Sequence, residues 1–371
     1  MARSIMLAAG GTGGHLFPAF ALADELAQRG FAVDLATDAR GERFKSEFNG
    51  RAIYQIPSAT TTSRSPVALT KTAFTLANGV RIAHKILREA RPQAVVGFGG
   101  YPSFPPIVAA ALRSVPTIIH EQNALLGRAN RMLAKRVGAI ATSFKNVKFI
   151  DDELAKKVHL TGNPVRPMVL ENAVREYQAP DAFGPIHLLV FGGSQGAKYF
   201  ADIVPAAVAM LPDALRVRIL VMQQCRGEDV ERVRAAYADA GVSATCESYF
   251  ADLPRWMAQS HLVIARGGAA TVAELTVIGC PSVLVPYAHS IENDQLENAR
   301  VLADAGAAWC IEQKSLNSAR LADELVSVCE MPGELVSAAN AARALGRPHA
   351  TSHLADVVEQ MVGQKPQARP K

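Results

Sequence analysis

Two glycine-rich turns carry the groups in this chain best suited to hold an anion and move a proton. The first is Gly10-Gly11-Thr12-Gly13-Gly14-His15, and the second is Gly192-Gly193-Ser194-Gln195-Gly196-Ala197. Each follows an apolar run, Ile5 to Ala9 and Leu188 to Phe191, and each leads into a segment with helical periodicity. A strand, a glycine turn and a helix start together aim unpaired backbone N–H groups and the positive end of a helix dipole at one point. That arrangement suits a phosphate. His15, where turn meets helix, adds a proton acceptor, because the dipole there disfavours the imidazolium. A base held in place contributes roughly 10²–10⁴ in rate. A histidine at this point serves equally well as a helix cap or a satisfied core residue.

Three further clusters have the same character. His120-Glu121-Gln122-Asn123 closes the apolar run that begins at Thr117. Polar side chains at the carboxyl end of a strand reach a bound ligand, or else hydrogen-bond their own loop. Gly99-Gly100-Tyr101 follows Ala94 to Gly97, where glycine lets backbone approach a ligand closely or simply makes a tight turn. Arg266-Gly267-Gly268-Ala269-Ala270-Thr271 follows Leu262 to Ala265 and leads to Glu274. Gly268 through Thr271 form another phosphate-type helix start, and a carboxylate one turn in can accept both hydroxyls of a ribose. An acidic residue near a helix N-terminus is also favourable by itself.

Two other phosphate devices compete with this reading. The dinucleotide fingerprint G-x-G-x-x-G begins at Gly11-Thr12-Gly13, but Leu16 stands where its last glycine belongs. Asp34 or Asp38 would remain as a ribose acid, so that reading stays open. The triphosphate loop G-x-x-x-x-G-K-[ST] fits neither turn, since Lys198 directly follows Ala197.

The elements that must position these residues are repeated βα units. Strands are expected at Ile5–Ala9, Ala32–Ala36, Ala94–Gly97, Thr117–His120 and Ala139–Ala141, then at Ile186–Phe191, Val217–Met222, Leu262–Ala265 and Ser282–Val285. The runs are continuous rather than alternating, as parallel strands buried on both faces require. Leu16, Ala19, Phe20, Ala23, Leu26 and Ala27 form one helical stripe, and Ala269, Val272, Ala273 and Leu275 another. The fold class is therefore α/β, with a parallel sheet in each half and ligands at the carboxyl ends of the strands. A polar stretch after Thr161-Gly162-Asn163-Pro164 marks the boundary, and residues 364–371 form an expected disordered tail.

With 371 residues, 49% of them apolar and 20% charged, the chain suits two globular domains. A net charge of +5 fits an anionic ligand or membrane surface and is too small to point to nucleic acid. The scattered Cys225, Cys246, Cys280, Cys310 and Cys329 read as reduced thiols of a cytosolic protein. No apolar run approaches the roughly 20 residues of a membrane span. The N-terminal apolar stretch is too short for a signal peptide and reads as a first core strand.

GGTGGH, GGY, HEQN, Gly162-Asn163-Pro164-Val165-Arg166, GGSQGA and the Gly267–Glu274 segment occur in the order and spacing of one family. On these motifs, spread from Ile5 to the last helix, the chain resembles the MurG family of bacterial peptidoglycan glycosyltransferases. The resemblance implies a GT-B architecture of two Rossmann-like domains facing across a cleft. Residues 1–162 would bind acceptor and membrane, with a C-terminal helix at about 346–363 packing back on them, and residues 163–345 would bind the donor. The implied reaction is inverting transfer of N-acetylglucosamine from UDP-N-acetylglucosamine to the 4-hydroxyl of undecaprenyl-diphospho-N-acetylmuramyl-pentapeptide.

Residue by residue, the resemblance implies His15 as the base, with Glu121 as an alternative. It implies Gly13, Gly14, His15, Tyr101, Glu121 and Asn123 on the acceptor side, whose diphosphate would rest on the first glycine turn. On the donor side it implies Thr12, Gly13, Gly14, Asn123, Arg166, Ser194, Gln195, Phe250, Ala269, Ala270, Thr271, Glu274 and Gln295. Glu274 would take the ribose, main chain at Phe250 the uracil, Ser194 and Arg166 the diphosphate, and Gln295 the sugar. The stretch Glu292-Asn293-Asp294-Gln295 departs from the double glutamine of some members and carries an extra residue. There is no Asp-x-Asp suited to a nucleotide metal, so no cofactor or metal site is expected, and divalent ions would act through the lipid. The expected location is the cytoplasmic face of the inner membrane, held peripherally through the segment Leu69 to Arg91, with other cell-wall synthesis proteins as further partners. Other UDP-sugar enzymes of this fold, a nicotinamide-dependent oxidoreductase and a non-catalytic nucleotide-sugar-binding protein remain as alternatives.

Overall fold

The computed structural model describes residues 3–11, 13–59, 65–193 and 198–363. Thr12, Ser194, Gln195 and the tail from residue 364 lie outside the described residues. Contacts divide the chain into two compact units. One comprises residues up to Arg166 together with those from Pro348 on, and the other runs from Pro167 to Arg347.

The first unit is built on seven parallel strands: β1 (Ser4–Ala8), β2 (Ala32–Thr37), β3 (Ala52–Gln55), β4 (Ala94–Gly97), β5 (Thr117–Glu121), β6 (Ala139–Thr142) and β7 (Val158–Leu160). Their spatial order is β3-β2-β1-β4-β5-β6-β7, so the chain winds outward from β1 and then returns to place β4 beside it. β1, β4, β5 and β6 are buried along their whole lengths, which is why their centres are apolar, although β5 ends on the buried polar pair His120-Glu121.

Helix α1 (Gly13–Gln28) follows β1 and buries Leu16, Ala19, Phe20, Leu22, Ala23 and Leu26 against the sheet. Each large apolar side chain so buried stabilises by roughly 1.5–3 kcal/mol. Ala27, at the end of the expected stripe, is exposed. The Ala350–Gly363 helix adds Leu354, Ala355, Val357 and Val358 to the same core. Arg29 of the loop after α1 ties the two helices through Asp356 at 2.6 Å and Glu359 at 3.0 Å.

Two helices cover the opposite face, α2 (Pro66–Ala90) and α3 (Gly100–Leu112). Most of the apolar stripe on α2 is core: Leu87 is buried, and Val80 and Ile86 pack against the buried cluster. Among its described large apolar residues Phe74 alone stands out, 77% exposed, with Lys71, Arg81, Lys85 and Arg88 also exposed. Among the described residues, no helix is long and apolar enough to cross a membrane.

The second unit repeats the plan with six parallel strands: β8 (Ile186–Phe191), β9 (Ile219–Gln224), β10 (Ser243–Glu247), β11 (Leu262–Ala265), β12 (Ser282–Leu284) and β13 (Ala308–Cys310). The order is β10-β9-β8-β11-β12-β13, so β11 returns beside β8 as β4 returns beside β1. All five cysteines are free thiols, and all but Cys310 are fully buried.

Candidate active site

In each sheet the winding reverses between two central strands, and side chains and loops at their carboxyl ends border a crevice. Each crevice is flanked by two glycine turns. In the first unit these are the turn after β1 and Gly99-Gly100 after β4; in the second they are Gly192-Gly193 after β8 and Gly267-Gly268 after β11. Most of the described residues among those expected at a site follow the carboxyl ends of strands in these sheets.

In the first unit, His15 lies in the opening turn of α1. Gly99 and Gly100 both have positive φ, at 82° and 66°, and together turn the chain into α3. Both lie against the histidine: a Cβ on Gly99 would be 3.6 Å from His15 Cε1 and one on Gly100 3.5 Å from its Nε2, each an ordinary contact distance. His15 Nδ1 is 3.3 Å from Gln122 Oε1. Gln122 in turn donates from Nε2 to the Phe98 carbonyl at 2.9 Å and contacts His120 Nδ1 at 3.1 Å. His120 Nε2 meets the carbonyl of Gly162 at 2.9 Å. Burial lowers the His120 pKa to about 4, with the nearby His15 adding to the effect, so this ring stays neutral.

Glu121 is 2% exposed and both its carboxylate oxygens are engaged. Oε1 accepts from the Asn123 backbone at 3.0 Å and its side chain at 3.2 Å. Oε2 accepts from Gly127 N and Asn130 Nδ2, each at 2.8 Å. Burial pushes the Glu121 pKa up, and these donors oppose the push. The carboxylate shapes the loop and the start of helix α4 (Arg128–Ala134), while Asn123 and Tyr101 remain partly accessible beside it.

Asp38, just after β2, reaches the first glycine turn. Its Oδ1 accepts from Gly11 N at 3.3 Å and Gly41 N at 3.1 Å, and its Oδ2 pairs with Arg40. The Arg40 guanidinium lies over Gly11. The N–H of Gly11 is therefore taken by a carboxylate, and the N–H groups at the start of α1 are what the turn offers an anion. Asp34 sits inside β2, fully buried in a two-pronged pair with Arg51. Neither aspartate is placed to hold a ribose, which removes the remaining support for a dinucleotide site.

In the second unit, Ala269, Ala270 and Thr271 open the Ala269–Ile278 helix and are partly accessible, with Gly268 in an extended cap conformation. Glu274 lies one turn further on and is buried. Gln295 begins the Asp294–Asp304 helix, where its Oε1 accepts from Tyr287 N at 2.9 Å. The departing segment before it is accommodated by Glu292 and Asn293, both left-handed at φ 55° and 61°. The two helix starts are packed tightly: a Cβ on Gly267 would lie 2.3 Å from the Gln295 carbonyl oxygen, and Asn298 donates to the Gly267 carbonyl at 3.0 Å. Phe250 follows β10, close in sequence to Ser248, which with Cys225, Arg226, Gly227 and Glu228 lines an open cavity of about 400 Å³.

Arg266 completes this edge. It is 7% exposed, and its guanidinium lies 4.7 Å from the Phe200 ring, 5.5 Å from Tyr199 and 5.6 Å from Tyr287. It donates to the Val285 carbonyl at 2.9 Å, and no carboxylate pairs with it among the described residues. Burial lowers its pKa to about 10, so it remains a cation at neutral pH.

Residues 5–142 match the glycosyltransferase family 28 N-terminal domain, and residues 187–361 match the glycosyltransferase family 28 C-terminal domain. A protein of Bradyrhizobium sp. (strain ORS 278), named UDP-N-acetylglucosamine–N-acetylmuramyl-(pentapeptide) pyrophosphoryl-undecaprenol N-acetylglucosamine transferase, is 50% identical over 97% of this chain and 98% of its own length. A protein of the same name from Brucella suis biovar 1 is 49% identical over 97% of this chain and 95% of its own. The crystal structure of Acinetobacter baumannii MurG matches with a TM-score of 0.80 and 29% identity, covering 96% of this chain and 99% of that one. The chain belongs to the MurG family. Its two Rossmann-like parallel sheets are those of the GT-B glycosyltransferases.

Within this MurG-family chain, the first unit brings together Gly13, Gly14, His15, Tyr101, Glu121 and Asn123 at one sheet edge. The second sets Ala269, Ala270, Thr271 and Glu274 on one helix and Gln295 on another whose start packs against Gly267, with Phe250 after the outer strand β10. Arg166 is the last residue before the chain first passes from one unit into the other. Sequence reasoning missed Arg266 as a buried cation, Arg40 as the partner of Asp38, and the link from Gln122 to His15. A signal for the first was on the page, since arginine is seldom buried without a carboxylate partner.

Proposed function

We propose that this chain transfers N-acetylglucosamine from UDP-N-acetylglucosamine to the 4-hydroxyl of undecaprenyl-diphospho-N-acetylmuramyl-pentapeptide. The observation that carries this reading is near-full-length identity of about half to transferases so named, joined to two anion-type sheet edges. His15 Nε2 takes the proton as the hydroxyl oxygen attacks the anomeric carbon from the face opposite UDP. The bond to the UDP oxygen breaks as the new glycosidic bond forms, so the anomeric configuration inverts to β. Negative charge grows on the departing diphosphate, and the helix start at Ala269–Thr271, with the Arg266 cation behind it, stabilises that charge without reorganising. Glu274 receives the ribose hydroxyls and Gln295 the sugar. Arg40 and the start of α1 favour the acceptor diphosphate. Glu121, with both oxygens engaged, acts as a support for the loop, and no resident metal is invoked.

The lipid-linked acceptor requires membrane contact. Phe74, set among Lys71, Arg81, Lys85 and Arg88, supports weak peripheral attachment to an anionic leaflet, each basic residue near the surface adding about 1 kcal/mol. Liposome flotation should show binding that rises with anionic lipid and falls for Phe74→Ser; binding indifferent to lipid charge refutes this attachment. For the reaction, the test is transfer of label from UDP-N-acetylglucosamine to a short-chain lipid-linked muramyl acceptor. The expected product carries one added N-acetylhexosamine, and His15→Ala should lower kcat by roughly 10²–10⁴. No transfer by the intact chain sinks the function, whereas near-normal turnover by His15→Ala sinks only the base.

A further inference from the structure

Resting on the reading of His15 as the base, we propose that Gln122 is a positioning residue whose amide holds His15 in the Nδ1–H tautomer and so reserves Nε2 for the acceptor proton. Gln122 is 2% exposed, at the turn following β5. Its Nε2 lies 2.9 Å from the Phe98 carbonyl and 3.4 Å from the His120 carbonyl. Both oxygens can only accept, so the amide NH2 must face them and Oε1 must face away. Oε1 then meets His15 Nδ1 at 3.3 Å, and an acceptor in that position requires a hydrogen on Nδ1. A neutral imidazole carries one N–H, which leaves the lone pair on Nε2. The opposite tautomer would set two lone pairs against each other.

His120 fixes the amide from its other side. Its Nε2–H donates to the Gly162 carbonyl at 2.9 Å, so its Nδ1 accepts from Gln122 Nε2 at 3.1 Å. Because burial keeps His120 neutral, this pattern does not change across the working pH range. A relay of oriented polar groups thus runs from Gly162 through His120 and Gln122 to His15.

Among the described residues, two nearby carboxylates are engaged with other groups. Glu121 accepts from Asn123, Gly127 and Asn130, and Asp38 from Gly11, Gly41 and Arg40. The group that meets His15 Nδ1 is a neutral amide, where a Ser-His-Asp triad uses a carboxylate. It sets the direction of the base without placing a negative charge beside the acceptor diphosphate.

The test reads the His15 ring directly, from nitrogen chemical shifts of the intact protein carrying labelled histidine. The native protein should hold His15 predominantly as Nδ1–H, a result that needs no variant and no substrate. Gln122→Met, which keeps the length of the side chain but offers no amide, should shift the ring toward Nε2–H. Its kcat should fall by about 10- to 100-fold, with KM for the UDP-sugar within about threefold of native. Gln122→Glu, which still presents oxygen to Nδ1, should keep the Nδ1–H form. A native ring found mainly as Nε2–H overturns the proposal, as does Gln122→Met with unaltered tautomer and kcat. A tautomer shift without loss of kcat overturns the base role of His15, and the positioning role falls with it.

Discussion

Arg266 tests whether a charge in this molecule is kept for function rather than for stability. Its guanidinium pKa falls from 12.5 to about 10 through burial. A folded value below the unfolded one means that the fold disfavours the charged form, and the penalty is fully present at any pH below about 10. The shift corresponds to about 3 kcal/mol, which partial solvent screening reduces to about 2 kcal/mol. Replacing Arg266 with Met removes that penalty and keeps an apolar side chain against Phe200, Tyr199 and Tyr287. It also deprives the Val285 carbonyl of a donor, a loss of about 1 kcal/mol. Arg266→Met should therefore be as stable as the native chain or more stable by about 1 kcal/mol. Catalysis should respond in the opposite direction. Removing a preorganised cation from beside a departing diphosphate costs about 3 kcal/mol, or roughly 10²-fold in kcat. Urea unfolding followed by tryptophan fluorescence, UDP binding by calorimetry and steady-state transfer measure the three quantities. A strongly destabilised variant with unchanged UDP affinity and kcat would refute the reasoning, because Arg266 would then be a structural residue.

Glu121→Gln should lower the melting temperature, since an amide offers one acceptor oxygen to the donors that Glu121 now satisfies, at a loss of about 2 kcal/mol; acceptor KM should rise more than donor KM, and an unchanged melt would exclude the anchoring role. Gly267→Ala should raise KM for the UDP-sugar and destabilise by about 1–3 kcal/mol, because its Cβ would force the start of the Asp294–Asp304 helix away; native KM would mean that this junction yields freely. His120, neutral in the fold with a pKa of about 4 against 6.5 in the unfolded chain, makes the unfolded state bind more protons between those values. Stability present at pH 7 should therefore drop as pH falls, by about 2 kcal/mol at pH 5, and His120→Gln should flatten the urea midpoint against pH over that interval; an equal slope in both proteins would refute this.

The strands legible in the sequence and those that were not differ in a physical way. Every expected strand exists, most with ends shifted by a residue or two. The four that sequence reasoning missed, β3, β7, β10 and β13, are the edges of the two sheets. Interior parallel strands are covered on both faces and so read as continuous apolar runs. An edge strand is covered incompletely: Ala52–Gln55 and Val158–Leu160 are only half-buried, and Ser243–Glu247 mixes exposed residues with the buried Cys246. Such strands are defined by pairing with a neighbour, such as Cys246 opposite Gln223, and pairing leaves no apolar period in the chain.

The candidate sites divide along the same line. Glycine turns, helix starts and the His120–Asn123 cluster are local in sequence, and their arrangement after particular strands was readable because strand, turn and helix are consecutive. What gives these residues their chemistry is not local. Asp38 accepts the Gly11 N–H across 27 residues, and His120 meets the Gly162 carbonyl across 42. These contacts follow from the order of the first sheet, which sets β2 beside β1 and only β6 between β5 and β7, and so brings separate loops to one edge. The apparent equivalence of the first and second glycine turns in sequence ends there. One receives the Asp38 carboxylate from the loop after β2, while β11, beside the strand that leads to the other, is followed by a buried arginine with carbonyl and aromatic partners. On the proposed reading, a base-bearing edge and a charge-stabilising edge are thus made from the same local motif, and the difference between them is set by what neighbouring strands bring, Asp38 after β2 at one and Arg266 after β11 at the other.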